Sequence, residues 1–238
     1  MKHKLILTTL LAALAPLSSQ AADLEISVSN LTAGIYFTPL LVAAHPAASH
    51  LFQIGQGASG ALQAMAEGGD IAGLKTAVEA AGGQTLANPA NGLLAPAQSA
   101  QAMLSTTTAN TRLSLTAMLL PTNDGFVGLD GWVIPTAPGT YTVDLNAYDA
   151  GTEANTELMN PGAGGAPGVS GIPADPSGKA GSGGTGVVPA APNDAEPHVV
   201  HIHRGVLGDT NASGGTSDLD SRSHRWLNPV ARITVVVK

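Results

Sequence analysis

Arg112-Leu113-Ser114-Leu115-Thr116-Ala117-Met118-Leu119 is the stretch that decides the fold. In an extended chain, Leu113, Leu115, Ala117 and Leu119 share one face, with Ser114 and Thr116 on the other. That period-two pattern is the mark of a half-buried strand. The same alternation recurs on both sides. Ile26 and Val28 share a face within residues 24–30. Tyr141, Val143, Leu145 and Ala147 alternate with Thr142, Asp144 and Asn146, and residues 198–203 and 232–237 complete the set. Segments of this kind, joined by Gly, Pro and Asp turns, predict antiparallel strands.

An Ala-rich stretch interrupts them. Residues 59–67 predict a short helix ended by Gly68-Gly69. Asp70 then caps a second helix, whose Ile71, Leu74 and Val78 fall at helical spacing before Gly82-Gly83. A third short helix is expected over residues 96–104. Helices gathered in one block do not suit a doubly wound sheet, which needs strand and helix to alternate. The expected class is therefore mainly β, an antiparallel β-sandwich with a short helical insertion. Residues 161–192 hold ten Gly and six Pro with almost no large apolar side chain. They are expected to form a long flexible loop within the domain, because so little burial cannot offset the entropy of ordering.

Composition removes several function classes. The 238 residues include no cysteine, so disulfides, thiolate-bound zinc and thiol catalysis are excluded. Lys and Arg number 10 against 17 Asp and Glu, and nucleic acid as a partner is not expected, since it needs a basic stripe to replace phosphate counterions. Met1-Lys2-His3-Lys4 is a basic start, residues 5–17 are an apolar run, and Ser19 and Ala21 are small residues at the −3 and −1 positions. Together they predict an export signal over residues 1–21, cut after Ala21, and a periplasmic or secreted protein over 22–238. No second hydrophobic span follows, so no transmembrane segment is expected in the mature chain. An exported domain without disulfides needs a larger core, a bound metal, or both.

Two acidic turns answer that need. Pro121-Thr122-Asn123-Asp124-Gly125-Phe126 follows one predicted strand, and Tyr148-Asp149-Ala150-Gly151-Thr152-Glu153 follows another. If those strands are neighbours, Asp124, Asp149 and Glu153 reach the same edge. Such an oxygen-rich place suits calcium, although Asp and Gly are also ordinary turn residues.

These turns resemble the spondin domain family, named for the matrix protein F-spondin and found also in exported bacterial proteins. The resemblance runs in order through Asn30-Leu31-Thr32, Phe37-Thr38-Pro39, His45, Phe52, Gly55, Ala58-Ser59, Ala66-Glu67-Gly68-Gly69-Asp70 and the two acidic turns. It closes with His201-Ile202-His203-Arg204-Gly205 and Trp226-Leu227-Asn228-Pro229-Val230-Ala231. It implies a C2-like sandwich and a calcium site built from Asp124, Asp149 and Glu153. Animal relatives carry Asp at the last position, so Glu153 is a departure that changes the ligand's reach.

Other motifs carry plainer readings beside their chemical ones. Gly55-Gln56-Gly57-Ala58-Ser59-Gly60 satisfies the dinucleotide fingerprint but lacks a strand-helix-strand unit, so a helix-entry turn is expected. His201 and His203 share a strand face and suit zinc or copper. Strand histidines satisfied within the fold are the simpler reading. Asp209 to Asp220 matches an EF-hand loop at several positions but ends in Asp and lacks helical flanks, so a solvated turn is expected, with a second calcium site as the alternative. Asn30-Leu31-Thr32 and Asn211-Ala212-Ser213 are glycosylation sequons. The leading expectation is an exported, non-enzymatic calcium-binding module that presents a loop edge for adhesion. A surface glycan, a lipid headgroup or a protein is its partner. A His201/His203 zinc or copper enzyme is the alternative.

Overall fold

The computed structural model describes residues 21–162, 164–188 and 198–238. The expected export signal lies outside the described residues, save for Ala21. None of the described helices is long and apolar enough to cross a membrane.

Strands β1 (Asp23–Asn30), β2 (Tyr36–Phe37) and β3 (Leu41–His45) precede helices α1 (Gly60–Gly68) and α2 (Ala72–Ala80). Then come β4 (Gln84–Ala87), β5 (Ser99–Ser105), β6 (Arg112–Leu120), β7 (Gly125–Val133), β8 (Gly139–Asp149), β9 (His201–Ile202) and β10 (Ala231–Val237). Every ladder between these strands is antiparallel. The strands form one sheet in the order β4-β3-β6-β7-β8-β10-β1-β5, with β2 on β6 and β9 on β8. The two ends of that order, β4 and β5, approach each other, so the sheet curls nearly into a barrel. The mainly-β, antiparallel class read from the alternating segments is the class observed.

Two apolar layers hold it together. The interior of the curled sheet takes Leu24, Ile26, Val28, Leu113, Leu115, Leu145, Ile233 and Val235, all buried. Each such side chain contributes about 1.5–3 kcal/mol on leaving water. The other face of β3, β6 and β7 packs under the helices, where Leu41, Met118 and Phe126 meet Leu62, Met65, Leu74 and Val78. Strand β6 is thus buried on both faces, and its polar side needs partners: Ser114 Oγ lies 2.7 Å from His45 Nε2.

Local signals explain the helices. The Ser59 side chain accepts from Leu62 N at 3.1 Å to start α1, and Gly69 ends it at φ 74°. A Cβ at Gly69 would also sit 2.8 Å from the Thr38 side chain, so both conformation and space require glycine. Ile71, not Asp70, is the N-cap of α2; Asp70, one residue earlier, still accepts from Ala72 N at 2.9 Å through Oδ1.

Two further local expectations are corrected. Residues 96–104 do not form a helix: β5 occupies Ser99–Ser105, with Ala100 and Leu104 buried against β1. The Ala100, Ala102, Leu104 alternation was in the sequence, but Ala and Leu are also good helix formers, and only pairing with β1 selects the strand. Of residues 198–203, only His201–Ile202 form a ladder.

The Gly/Pro-rich segment carries no helix or strand over its described residues, yet it has an anchor. Ile172 is fully buried and bridges Met159. Buried carboxylates take its backbone N–H groups: Glu67 from Gly168 at 2.6 Å, Asp218 from Gly184 at 2.8 Å. Asp175, within the segment, accepts from Lys179 N and Ala180 N and lies 3.2 Å from His224 Nε2.

Candidate metal site

The two acidic turns meet because of β7. That strand runs between β6 and β8 and pairs antiparallel with β8, so that Gly125 lies opposite Asp149. Asp124, one residue before β7, and Asp149, the last residue of β8, therefore share one end of the sheet. Gly128 tightens this end: a Cβ there would stand 2.6 Å from the Phe52 ring and 2.9 Å from the Tyr148 ring, which instead pack at 4.9 Å between centroids.

Asp124 is fully buried and its two oxygens differ sharply. Oδ2 accepts from Thr152 N at 2.8 Å, Glu153 N at 3.1 Å and Thr152 Oγ1 at 3.2 Å. Oδ1 is buried with no hydrogen-bond partner. Burial first, and the Asp149 charge second, push the Asp124 carboxyl well above the usual carboxylate range. Asp149, 1% exposed, accepts from Gly151 N at 2.8 Å and from Asn155 Nδ2 at 2.5 Å, and His201 Nδ1 lies 3.8 Å from its Oδ1.

Glu153 is placed differently from the two aspartates. Its backbone serves Asp124, but its carboxylate accepts from Asn123 Nδ2 at 2.8 Å and from Gly171 N. Burial pushes this carboxyl up to about 7, against the lowering effect of those bonds. The structure thus juxtaposes Asp124 and Asp149 and turns the third expected carboxylate toward the Gly/Pro-rich segment. Among the described residues, no group of three or more His, Asp or Glu side chains is arranged to hold a metal ion. What does fit a hard cation is the pair: an unpartnered buried carboxylate oxygen beside a second buried carboxylate, at one end of the sheet.

His203, by contrast, is saturated. Its Nδ1 accepts from Gly205 N at 2.9 Å, and its Nε2 lies 3.1 Å from Asn155 Oδ1. Burial pushes the ring's pKa down to about 3, and it packs on Trp226 at 5.1 Å. It lies one residue past the end of β9, and the reading that fits it is that of a histidine satisfied within the fold.

The remaining motifs settle into structural roles. Gly55 follows β3 in a loop where Gly55 N donates to Val200 O, and the next strand, β4, is antiparallel to β3. Among the described residues, no strand-helix-parallel strand unit is present for a dinucleotide. Asp209 turns inward on its own loop, accepting from Asn211 N, Thr216 N and Ser217 N at 2.8–3.0 Å. Asp220 pairs with Arg222 at 2.7 Å. Asn30 is 1% exposed, and its amide donates to Ile35 O and Leu94 O while its Oδ1 accepts from Thr32, so this sequon is part of a turn.

Several residues of this region escaped sequence reasoning. Asn155 and Glu157 follow the second acidic turn, both buried. The Glu157 carboxylate accepts from Leu207 N at 2.7 Å, Gly208 N at 2.8 Å and Ser217 Oγ at 2.6 Å, fastening the 205–217 loop. A cavity of about 10 Å³ between Asn123, Asn155, Glu157 and His203 has room for no more than a water. The only local signal was polar density in Asn155-Thr156-Glu157, which reads as an exposed turn.

A family model described as Spondin_N matches residues 30–170, a span that includes both acidic turns. No curated protein matches the chain.

Proposed function

The chain belongs to the Spondin_N family, and from that premise we propose that it is a calcium-binding β-module, exported and non-enzymatic, that presents the loop edge around Asp124 and Asp149 to a surface partner. The observation that carries this reading is Asp124 Oδ1, buried with no hydrogen-bond partner beside the Asp149 carboxylate. A buried carboxylate oxygen without a donor costs several kcal/mol unless it is protonated or meets a cation. Calcium supplies the positive charge with tolerant geometry, and backbone carbonyls and waters complete its shell. Asp124 and Asp149 would hold it. Glu153 joins only by releasing Asn123 and Gly171.

With calcium bound, the two turns become one rigid edge at the end of β7 and β8. That edge suits adhesion to a surface glycan, a lipid headgroup or a protein. The competing account of the same geometry is a protonated Asp124 that needs no ion.

Thermal melting of residues 22–238, in calcium and in chelator, decides between them. Calcium at about 100 times its Kd adds about 2.7 kcal/mol. For a domain of this size that is roughly 5–10 °C in Tm. Asp124→Asn should abolish the increment. A wild type with no calcium-dependent shift, and an Asp124→Asn variant as stable as wild type in chelator, would establish the protonated acid instead.

A further inference from the structure

Behind Asp149 stands a chain of three hydrogen bonds with one direction. Gly205 N–H donates to His203 Nδ1 at 2.9 Å. A nitrogen that accepts cannot carry the proton, so the neutral ring is protonated at Nε2. Nε2–H then donates to Asn155 Oδ1 at 3.1 Å. With its oxygen committed to the histidine, the Asn155 amide must turn its NH2 to the other side, where Nδ2 donates to Asp149 Oδ2 at 2.5 Å. Every polarity along this chain follows from the first bond.

The chain is buried and braced. Asn155 is 3% exposed and His203 is 5% exposed. Arg204 Nη2 donates to Asn155 O at 3.0 Å, holding the backbone under the amide. His203 N donates to Ala147 O at 3.1 Å, which ties the histidine segment to β8 two residues before Asp149. Trp226 packs on the ring, and Gly125 leaves room for it: a Cβ there would come within 3.1 Å of His203 Cδ2. The Asp124 carboxylate is held from a different side, by Thr152 N and Glu153 N.

We propose that His203 and Asn155 are the positioning residues of the calcium site, fixing the Asp149 carboxylate through the directed chain His203 Nε2–H to Asn155 Oδ1 and Asn155 Nδ2–H to Asp149 Oδ2. The inference rests on the calcium reading of Asp124 and Asp149. Neither residue touches the ion. The Asn155 donor on Oδ2, together with the Gly151 N–H on Oδ1 at 2.8 Å, holds the Asp149 carboxylate in one rotation. A carboxylate already oriented loses less freedom on binding, which is why outer-shell partners of metal ligands are worth about 10–100-fold in metal affinity.

The test is calcium titration by calorimetry on residues 22–238 at pH 7.5, with Tm in chelator recorded alongside. Asn155→Ala and His203→Ala should weaken calcium binding about 10–100-fold. His203→Gln should restore affinity to within about threefold of wild type, because the glutamine Nε2 can donate to Asn155 Oδ1 in place of the ring. A merely structural role would lower Tm in chelator and leave the calcium Kd unchanged, which overturns the inference while the calcium reading stands. His203→Gln as weak as His203→Ala overturns it too, since the donor would then be irrelevant. If the wild type binds no calcium, both readings fall. Should either alanine variant fail to fold, nitrogen chemical shifts of His203 in the wild type decide: the Nε2–H tautomer upholds the chain, and the Nδ1–H tautomer breaks it.

Discussion

Two loops in this molecule are rich in aspartate, and they come to opposite ends. In the loop from Asp209 to Asp220, the two end carboxylates find donors close by in the chain. The N–H groups of Ser217, Asn211 and Thr216 hold Asp209 below the usual carboxylate range, and the Arg222 guanidinium holds Asp220 at about 2. At the β7–β8 end, Asp124 is driven the other way, by burial and by a second buried acid. The contrast shows that acidic residues in a turn do not by themselves make a cation site. A solvated loop folds around its carboxylates and quenches them. A site needs a fold that buries a carboxylate beside another and withholds a donor from one oxygen.

That contrast can be broken most directly by exchanging the charges. Asp124→Ala or Asp149→Ala should remove the whole calcium increment, about 2.7 kcal/mol at 100 times the Kd, whereas Asp209→Ala should keep it. Calorimetric titration and melting in chelator read this outcome, and an increment lost in Asp209→Ala would move the site to the other loop.

The pH dependence of stability sharpens it next. His203, neutral down to about pH 3 in the fold, takes up fewer protons than the unfolded chain between 3 and 6.5. Its contribution is therefore complete above pH 6.5 and lost on acidification, at up to ~1.4 kcal/mol per pH unit. Glu153 acts with the opposite sign. Raised to about 7, it binds more protons folded than unfolded, so stability falls as pH climbs from 4.5 to 7, by roughly 1 kcal/mol per unit. In chelator between pH 5 and 6 the two slopes oppose each other in the wild type. Asp124, also raised, adds to the falling side in every protein compared, so the variants are read against wild type. His203→Gln should make the urea midpoint fall more between the two pH values, and Glu153→Gln should make it fall less. Identical profiles for the two variants would contradict the assignment.

The smallest effect belongs to the quenched loop. Asp220→Asn removes an exposed pair with Arg222, and exposed ion pairs contribute little. Calcium affinity and Tm should both stay at wild-type values. A measurable drop in affinity would show that this loop takes part in cation binding after all.

How much of this was legible beforehand varies by element. Alternation in residues 112–119 and 141–147 announced β6 and β8, and Ser59 and Gly69 announced the ends of α1, because a strand's face and a helix cap depend on residues a few positions apart. Strand β7 was not read. Its Gly125-Phe126-Val127-Gly128 is buried on both faces, and a strand buried on both faces does not alternate. Yet β7 is what brings the acidic turns together. The buried anchor Ile172, in a segment read as burying too little to offset its ordering, was also passed over; one fully buried residue is invisible to composition.

The sequence by itself determined the antiparallel class, the two helices and which turns carry the acids, since each follows from periodicity and local geometry. Only the tertiary structure decided what the acids do. Asp124, Asp149 and Glu153 look alike in the chain. Burial and pairing across β7 set the first two side by side, while Asn123 and Gly171 drew the Glu153 carboxylate away. The tautomer of His203 depends on Gly205 N, and the orientation of Asn155 depends on that tautomer. Charge state and hydrogen-bond direction are properties of an environment assembled from distant segments, so residue type and spacing cannot carry them.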